Sequence, residues 1–154
     1  MKMVRVALAL VLAVCWGSFT FAAEKDAAFE KEITEFVQKH RQAFKEKDID
    51  GVIALYAEDA VLMGTGPGER FVGQEEIRNA HMEYFKAFDK EESTLTWHKT
   101  GKNGDVVWVS GMTHIRSFFK NNKRDFAINW TSVLSKQDGT WKFVQRHISN
   151  ISCE

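Results

Sequence analysis

Apolar positions near the start of the chain recur at steps of three and four. Phe29, Ile33, Phe36, Val37, His40 and Phe44 mark one stripe of a long amphipathic helix. Residues 45–50 form a charged break. A short second helix follows, with Ile49, Val52, Ile53, Leu55 and Tyr56 as its apolar side. Residues 60–63 then read as a strand, 64–68 (GTGPG) as a loop, and 69–72 as a short returning strand, because glycine and proline at this density sustain neither regular element. Gly73 opens a third helix, in which Ile77, His81, Tyr84, Phe85 and Phe88 repeat the stripe. Beyond residue 92 the period falls to two. Strands are predicted over 93–100, 106–119, 126–136 and 141–151, separated by turns at 101–104, 120–123 and 137–140. Helices followed by hairpin-linked strands predict an α+β fold, with three helices in total packed on one face of a curved antiparallel sheet that, closed off by the long N-terminal helix, encloses a cone.

Alternation assigns faces to the last strand. Trp141, Phe143, Gln145, His147 and Ser149 fall on one side, and Lys142, Val144, Arg146 and Ile148 on the other. Trp and Phe followed by His and Ser would floor an apolar pocket with a polar end. On the strand over 106–119 two sets compete for the inward face: Trp108, Ser110, Met112, His114 and Arg116, or Val107, Val109, Gly111, Thr113 and Ile115. The second set suits tight packing. The first suits a pocket wall or a dimer interface.

The first 22 residues stand apart from this pattern. Lys2 and Arg5 precede an apolar run over 6–14, and Thr20 and Ala22 place small residues at −3 and −1 of a cleavage site. That is the layout of a secretory signal peptide, and the run is short for a membrane span. The expectation is therefore an exported protein, periplasmic or secreted, not held in the membrane after cleavage. The remainder is a single domain. It carries the chain's 21 basic residues less Lys2 and Arg5 against 21 acidic ones, a net charge of −2. No basic block stands out, which argues against nucleic acid as a partner. Of the two cysteines, Cys15 lies in the signal, so Cys153 has no internal disulfide partner. The five histidines, at 40, 81, 98, 114 and 147, show no local metal-pair spacing, and the glycine loop lacks the Lys-Ser/Thr ending of a phosphate-binding loop. Neither a metal nor a cofactor is expected.

Three segments carry a family resemblance. Residues 48–62 (DIDGVIALYAEDAVL) resemble the helix-to-strand signature of the nuclear-transport-factor-2-like superfamily. Residues 138–149 (DGTWKFVQRHIS) resemble the closing strand of its SnoaL-like branch, and 73–78 (GQEEIR) its glycine-led third helix. The resemblance covers about 26–151. It implies a cone-shaped α+β barrel, a curved antiparallel sheet wrapped around the long N-terminal helix, often a homodimer through the outer face of the sheet, and the superfamily includes ketosteroid isomerases, polyketide cyclases and dehydratases. It does not fix a function. Ketosteroid isomerase needs a carboxylate base just after the first strand, where this chain has Gly64. It needs a phenol on the first helix, where His40 stands, and an acidic oxyanion donor on a later strand, where 129–132 (NWTS) offers no carboxylate. Steroid isomerisation by that mechanism is not expected.

The resemblance implies that Trp141, Phe143, Gln145, His147 and Ser149 point inward, with Asn129, Thr131 and Val133 beside them. Tyr56, His40 and His81, coming from the helices, would cap the cavity. The leading expectation is a domain that binds a small, largely apolar molecule and, as a cofactor-independent enzyme of isomerase, cyclase or dehydratase type, would use His147 as general acid or base with His40 beside it. The rival expectation is a non-catalytic homodimeric interaction or assembly module.

Overall fold

The computed structural model describes residues 27–151 except 89, 120 and 121. The signal-peptide segment and Cys153 lie outside the described residues. The chain divides into two compact units after Val37. In the first, residues 27–37 are helical, and Ile33, Phe36 and Val37 are buried. The second begins with residues 38–46, which are helical and are labelled α1. It then contains α2 (Ile49–Ile53), β1 (Tyr56–Met63), β2 (Arg70–Val72), α3 (Gly73–Ala87), β3 (Lys90–Asn103), β4 (Val106–Phe119), β5 (Asn122–Gln137) and β6 (Thr140–Ile151).

Local chemistry accounts for the joints. Lys47 takes a left-handed conformation (φ 56°) that ends α1, and the Asp48 N–H returns to the Ala43 carbonyl at 2.9 Å. Asp48 then caps α2 by accepting from the Gly51 N–H at 2.9 Å. Gly73 begins α3 at φ 80°, where a Cβ would also press on the Glu58 carbonyl oxygen at 3.3 Å. Glu76 steadies that helix start by accepting from the Val72 N–H at 2.7 Å. Glu69 binds the glycine loop into a turn, its carboxylate accepting from Gly66 at 2.8 Å and its backbone carbonyl from Gly64 at 3.0 Å. Asp138 and Gly139 both have positive φ, the pattern of the two-residue hairpin turn joining β5 to β6.

The six strands lie in the order β2-β1-β6-β5-β4-β3. The α+β class and the helix-then-strand order are those the sequence predicts, with three differences of detail. The sheet is mixed, because β1 runs parallel to β6 while the other neighbours are antiparallel. It is open, with β2 and β3 as edges. Tyr56 opens β1 and does not belong to α2.

One face of the sheet is buried. On β4 the alternation settles the question left open by sequence: Val107, Val109, Gly111, Thr113, Ile115 and Ser117 are buried, whereas Trp108, His114 and Arg116 are exposed. On β5 the buried set is Ile128, Trp130, Ser132 and Leu134. The Trp130 ring lies across Gly111, its cross-strand partner, and its Nε1–H donates to Thr113 Oγ1 at 3.0 Å.

Candidate functional site

Strand β6 holds a bulge that decides the site. Phe143 pairs with Leu134 and Gln145 with Val133, so Val144 has no opposite residue in the ladder. Two residues oppose one there, and the alternation of faces changes phase. Trp141 and Phe143 are buried, and after the bulge Arg146 takes up the same inner face opposite Ser132, followed by Ile148 opposite Trp130. Gln145, His147 and Ser149 fall on the outer face, opposite Val133, Thr131 and Asn129. His147, Thr131 and Asn129 are exposed. The expectation that His147, Gln145 and Ser149 share a pocket floor with Phe143, beside Asn129 and Thr131, is thus corrected. A period-two reading carries Phe143 and His147 to one side, and the unpaired Val144 separates them.

What gathers on the inner face is a different polar cluster. Arg146 Nη1 lies 3.2 Å from both ring nitrogens of His40, which stands on α1. The guanidinium carbon is 5.6 Å from the Trp130 ring centroid and 5.2 Å from that of Phe143, within cation–π range. The Tyr56 hydroxyl is buried against the same guanidinium, which acts on it both by charge and by a long hydrogen bond in which the phenol oxygen accepts. His81 of α3 donates its Nδ1–H to the Ile77 carbonyl at 2.8 Å, and its ring meets Tyr56 at 5.9 Å and Phe44 at 5.8 Å. Gln74 secures the strand that carries Tyr56 by donating to the Tyr56 carbonyl at 2.8 Å.

Electrostatics follow from burial. His40, only 5% exposed, is held well below the ordinary histidine range by loss of water, with Arg146 and His81 adding to the shift. His81 is lowered to about 4 by burial, partly offset by the Ile77 carbonyl. Burial pushes the Tyr56 phenol up, against the pull of Arg146. Both imidazoles are therefore neutral at pH 7, as is the phenol, and Arg146 carries the charge of the cluster.

A second pair sits further along the aromatic lining. Tyr84, whose ring packs on Phe44 and Phe88, donates to Glu91 at 2.5 Å. Burial raises the Glu91 carboxyl, with Tyr84 and Lys47 opposing the shift. Burial first and Glu91 second raise the Tyr84 phenol.

Of the residues expected at a site, the structure brings together His40, Tyr56, Trp141 and Phe143 on the buried side. It places Asn129, Thr131, Gln145, His147 and Ser149 on the other. Arg146 and the Tyr84–Glu91 pair were not expected there, and His81 only as a cap from the third helix. Helical periodicity already put His81 and Tyr84 on the apolar stripe, whereas nothing in the residue pattern marks the bulge that turns Arg146 inward. Among the described residues no group of three His, Cys, Asp or Glu side chains is arranged to hold a metal ion, and no helix is long and apolar enough to cross a membrane.

The profile of the SnoaL-like domain matches residues 33–153, and the chain belongs to that family. Solved structures with the NTF2-like fold resemble it at low identity. An NTF2-like protein of unknown function from Pseudomonas putida KT2440 superposes with a TM-score of 0.72 at 21% identity, over 80% of this chain and 87% of that one. A ketosteroid isomerase-like protein from Erwinia carotovora atroseptica SCRI1043 gives 0.70 at 24%, over 80% and 96%. A candidate dehydratase of the NTF2-like family from Streptomyces avermitilis gives 0.70 at 16%, over 80% and 96%. Likeness at this level establishes the fold. Among curated protein sequences no match is found.

Proposed function

We propose that this SnoaL-like domain binds one small, largely apolar molecule against the buried face of its sheet, with the His40–Tyr56–Arg146 cluster at the polar end. The observation that carries the reading is a set of polar groups with unused hydrogen-bonding capacity inside an aromatic shell of Phe44, Trp130 and Phe143. Buried polar atoms normally find partners, and such a cluster is what fixes the orientation of a ligand in an otherwise apolar site. If the domain also transforms its ligand, the groups present suit holding a developing oxyanion better than abstracting a proton. Arg146 and the Tyr56 phenol are donors, and burial beside a cation makes His40 a weak base. The isomerase-like and dehydratase-like neighbours support that direction by analogy of fold alone. The test is native mass spectrometry of the protein purified from its own host. A bound species of small mass at one per chain supports the reading. A ligand-free protein whose tryptophan fluorescence no apolar probe changes would sink it.

The outer face favours a second, compatible reading, a homodimer formed through the sheet. Trp97 and Trp108 are 54% and 47% exposed there, close to Met112 and Val133 in the register. Large apolar side chains on an open sheet face mark an interaction surface. Light scattering should report a dimer that Trp97→Ser with Trp108→Ser converts to a monomer. A wild-type monomer at micromolar concentration removes the reading. Export is proposed on the N-terminal pattern, and N-terminal sequencing of the mature protein should begin at Ala23.

A further inference from the structure

We propose that the ligand of the inner site carries a carboxylate, and that Arg146 is its anchor. The inference rests on the small-molecule reading above and narrows it to organic acids with an apolar body. Arg146 is a guanidinium turned to the buried face, with Nε out of water and unpartnered. Its neighbours are the His40 imidazole, the Tyr56 phenol and the rings of Trp130 and Phe143. Among the described residues no carboxylate pairs with it. The acidic side chains of the sheet lie elsewhere: Asp125 and Glu92 pair with Arg116, Asp125 also with His114, Glu91 binds Tyr84, and Glu58 and Asp59 of β1 are exposed.

A buried cation without an anion is costly, because desolvation of the charge is repaid only by an opposite charge with good hydrogen-bond geometry. Rings relieve part of that cost and neutral acceptors another part, but neither neutralises the group. His40 is a neutral neighbour that accepts from Nη1 and leaves other N–H donors over. The planar fork of a guanidinium matches a carboxylate in both charge and spacing. The Tyr56 hydroxyl, whose oxygen accepts from Arg146, keeps its own O–H as a donor on the same side. A carboxylate here would satisfy both residues at once, while the aromatic lining takes the apolar remainder. A neutral carbonyl would satisfy donors but leave the charge.

The experiment is calorimetric or fluorescence titration of the purified protein at pH 7 with benzoate, phenylacetate, 3-phenylpropionate and octanoate, each beside its neutral amide, with acetate as a control lacking the apolar body. The expected result is that at least one acid binds ten-fold or more tightly than its own amide, that acetate does not bind, and that Arg146→Gln abolishes the preference while Arg146→Lys keeps part of it. Amides that bind as tightly as their acids would overturn the carboxylate inference and leave small-molecule binding standing. Absence of binding by every probe would overturn both. A preference retained in Arg146→Gln would remove Arg146 as the anchor. Should Arg146→Gln fail to fold, Arg146→Met, which fills similar volume without charge, gives the same readout.

Discussion

Acidification should destabilise the folded chain through His81, and the size of the effect follows from its surroundings. The ring is buried on α3 among Phe44, Tyr56 and Phe85, with Arg146 contributing a like charge from β6 and His40 facing it from α1. Its folded pKa of about 4 compares with an ordinary value of 6.5. Between those two values the unfolded chain takes up a proton that the folded chain refuses. Stability from this group is therefore complete above pH 6.5 and falls as the pH drops towards 4, by at most about 1.4 kcal/mol per pH unit and about 3 kcal/mol in all. His40, lowered for the same reasons, acts in the same direction. Glu91 acts in the opposite one, since a carboxyl raised by burial is relieved when it protonates. The discriminating quantity is thus the difference between wild type and His81→Phe, not the wild-type slope alone. Urea unfolding at pH 7, 6, 5 and 4 should show the variant flatter than wild type by about 3 kcal/mol across the interval. NMR titration should find the His81 ring neutral down to about pH 5. Equal slopes in the two proteins, or a His81 ring titrating at its ordinary value, would refute the reasoning.

Two glycines facing tryptophans should behave differently despite the same crowding. A Cβ on Gly111 would meet Trp130 Cζ2 at 2.3 Å, and Trp130 is buried and held by Thr113, so Gly111→Ala should cost about 1–3 kcal/mol in chemical denaturation. A Cβ on Gly101 would meet Trp108 at the same 2.3 Å, but that ring is half exposed and can swing away, so Gly101→Ala should stay within about 0.5 kcal/mol of wild type. Tyr84→Phe should lower stability by about 1–3 kcal/mol by leaving the Glu91 carboxyl without its phenol donor, measured by thermal and urea unfolding. Arg146→Met should leave the ligand-free protein as stable as wild type, or more stable by about 1–4 kcal/mol, because a buried charge without a counter-charge is removed. A clear loss of stability would count against that view of Arg146.

Elements were legible where one physical rule dominated. The helical stripes of Ile77, His81 and Tyr84 and the Asp138-Gly139 turn lie where the residue pattern puts them, because periodicity and positive-φ turn chemistry are local. Strand β1 begins earlier than the pattern suggests, with Tyr56 drawn out of the helix by its pairing to Phe143. The parallel pairing of β1 with β6 depends on contacts distant along the chain, which no local pattern carries. The same holds for the site. His40 and Phe143 were readable as inward, since each lies on an apolar stripe or face. Unbroken alternation put His147 on the face of Phe143, which the resemblance turns inward, and Arg146 on the other; one unpaired residue, Val144, reverses both.

That unpaired residue means that strand β6 encodes two alternative interiors. With the interruption at Val144, the strand offers the core a permanent cation. Were the same interruption to migrate past Ile148, with no change in composition, Gln145 and His147 would take its place and the interior would become uncharged and titratable. The position of the unpaired residue in β6 is thus a lever on the charge of the interior, and a comparison of related chains should count ladder residues before it counts identities.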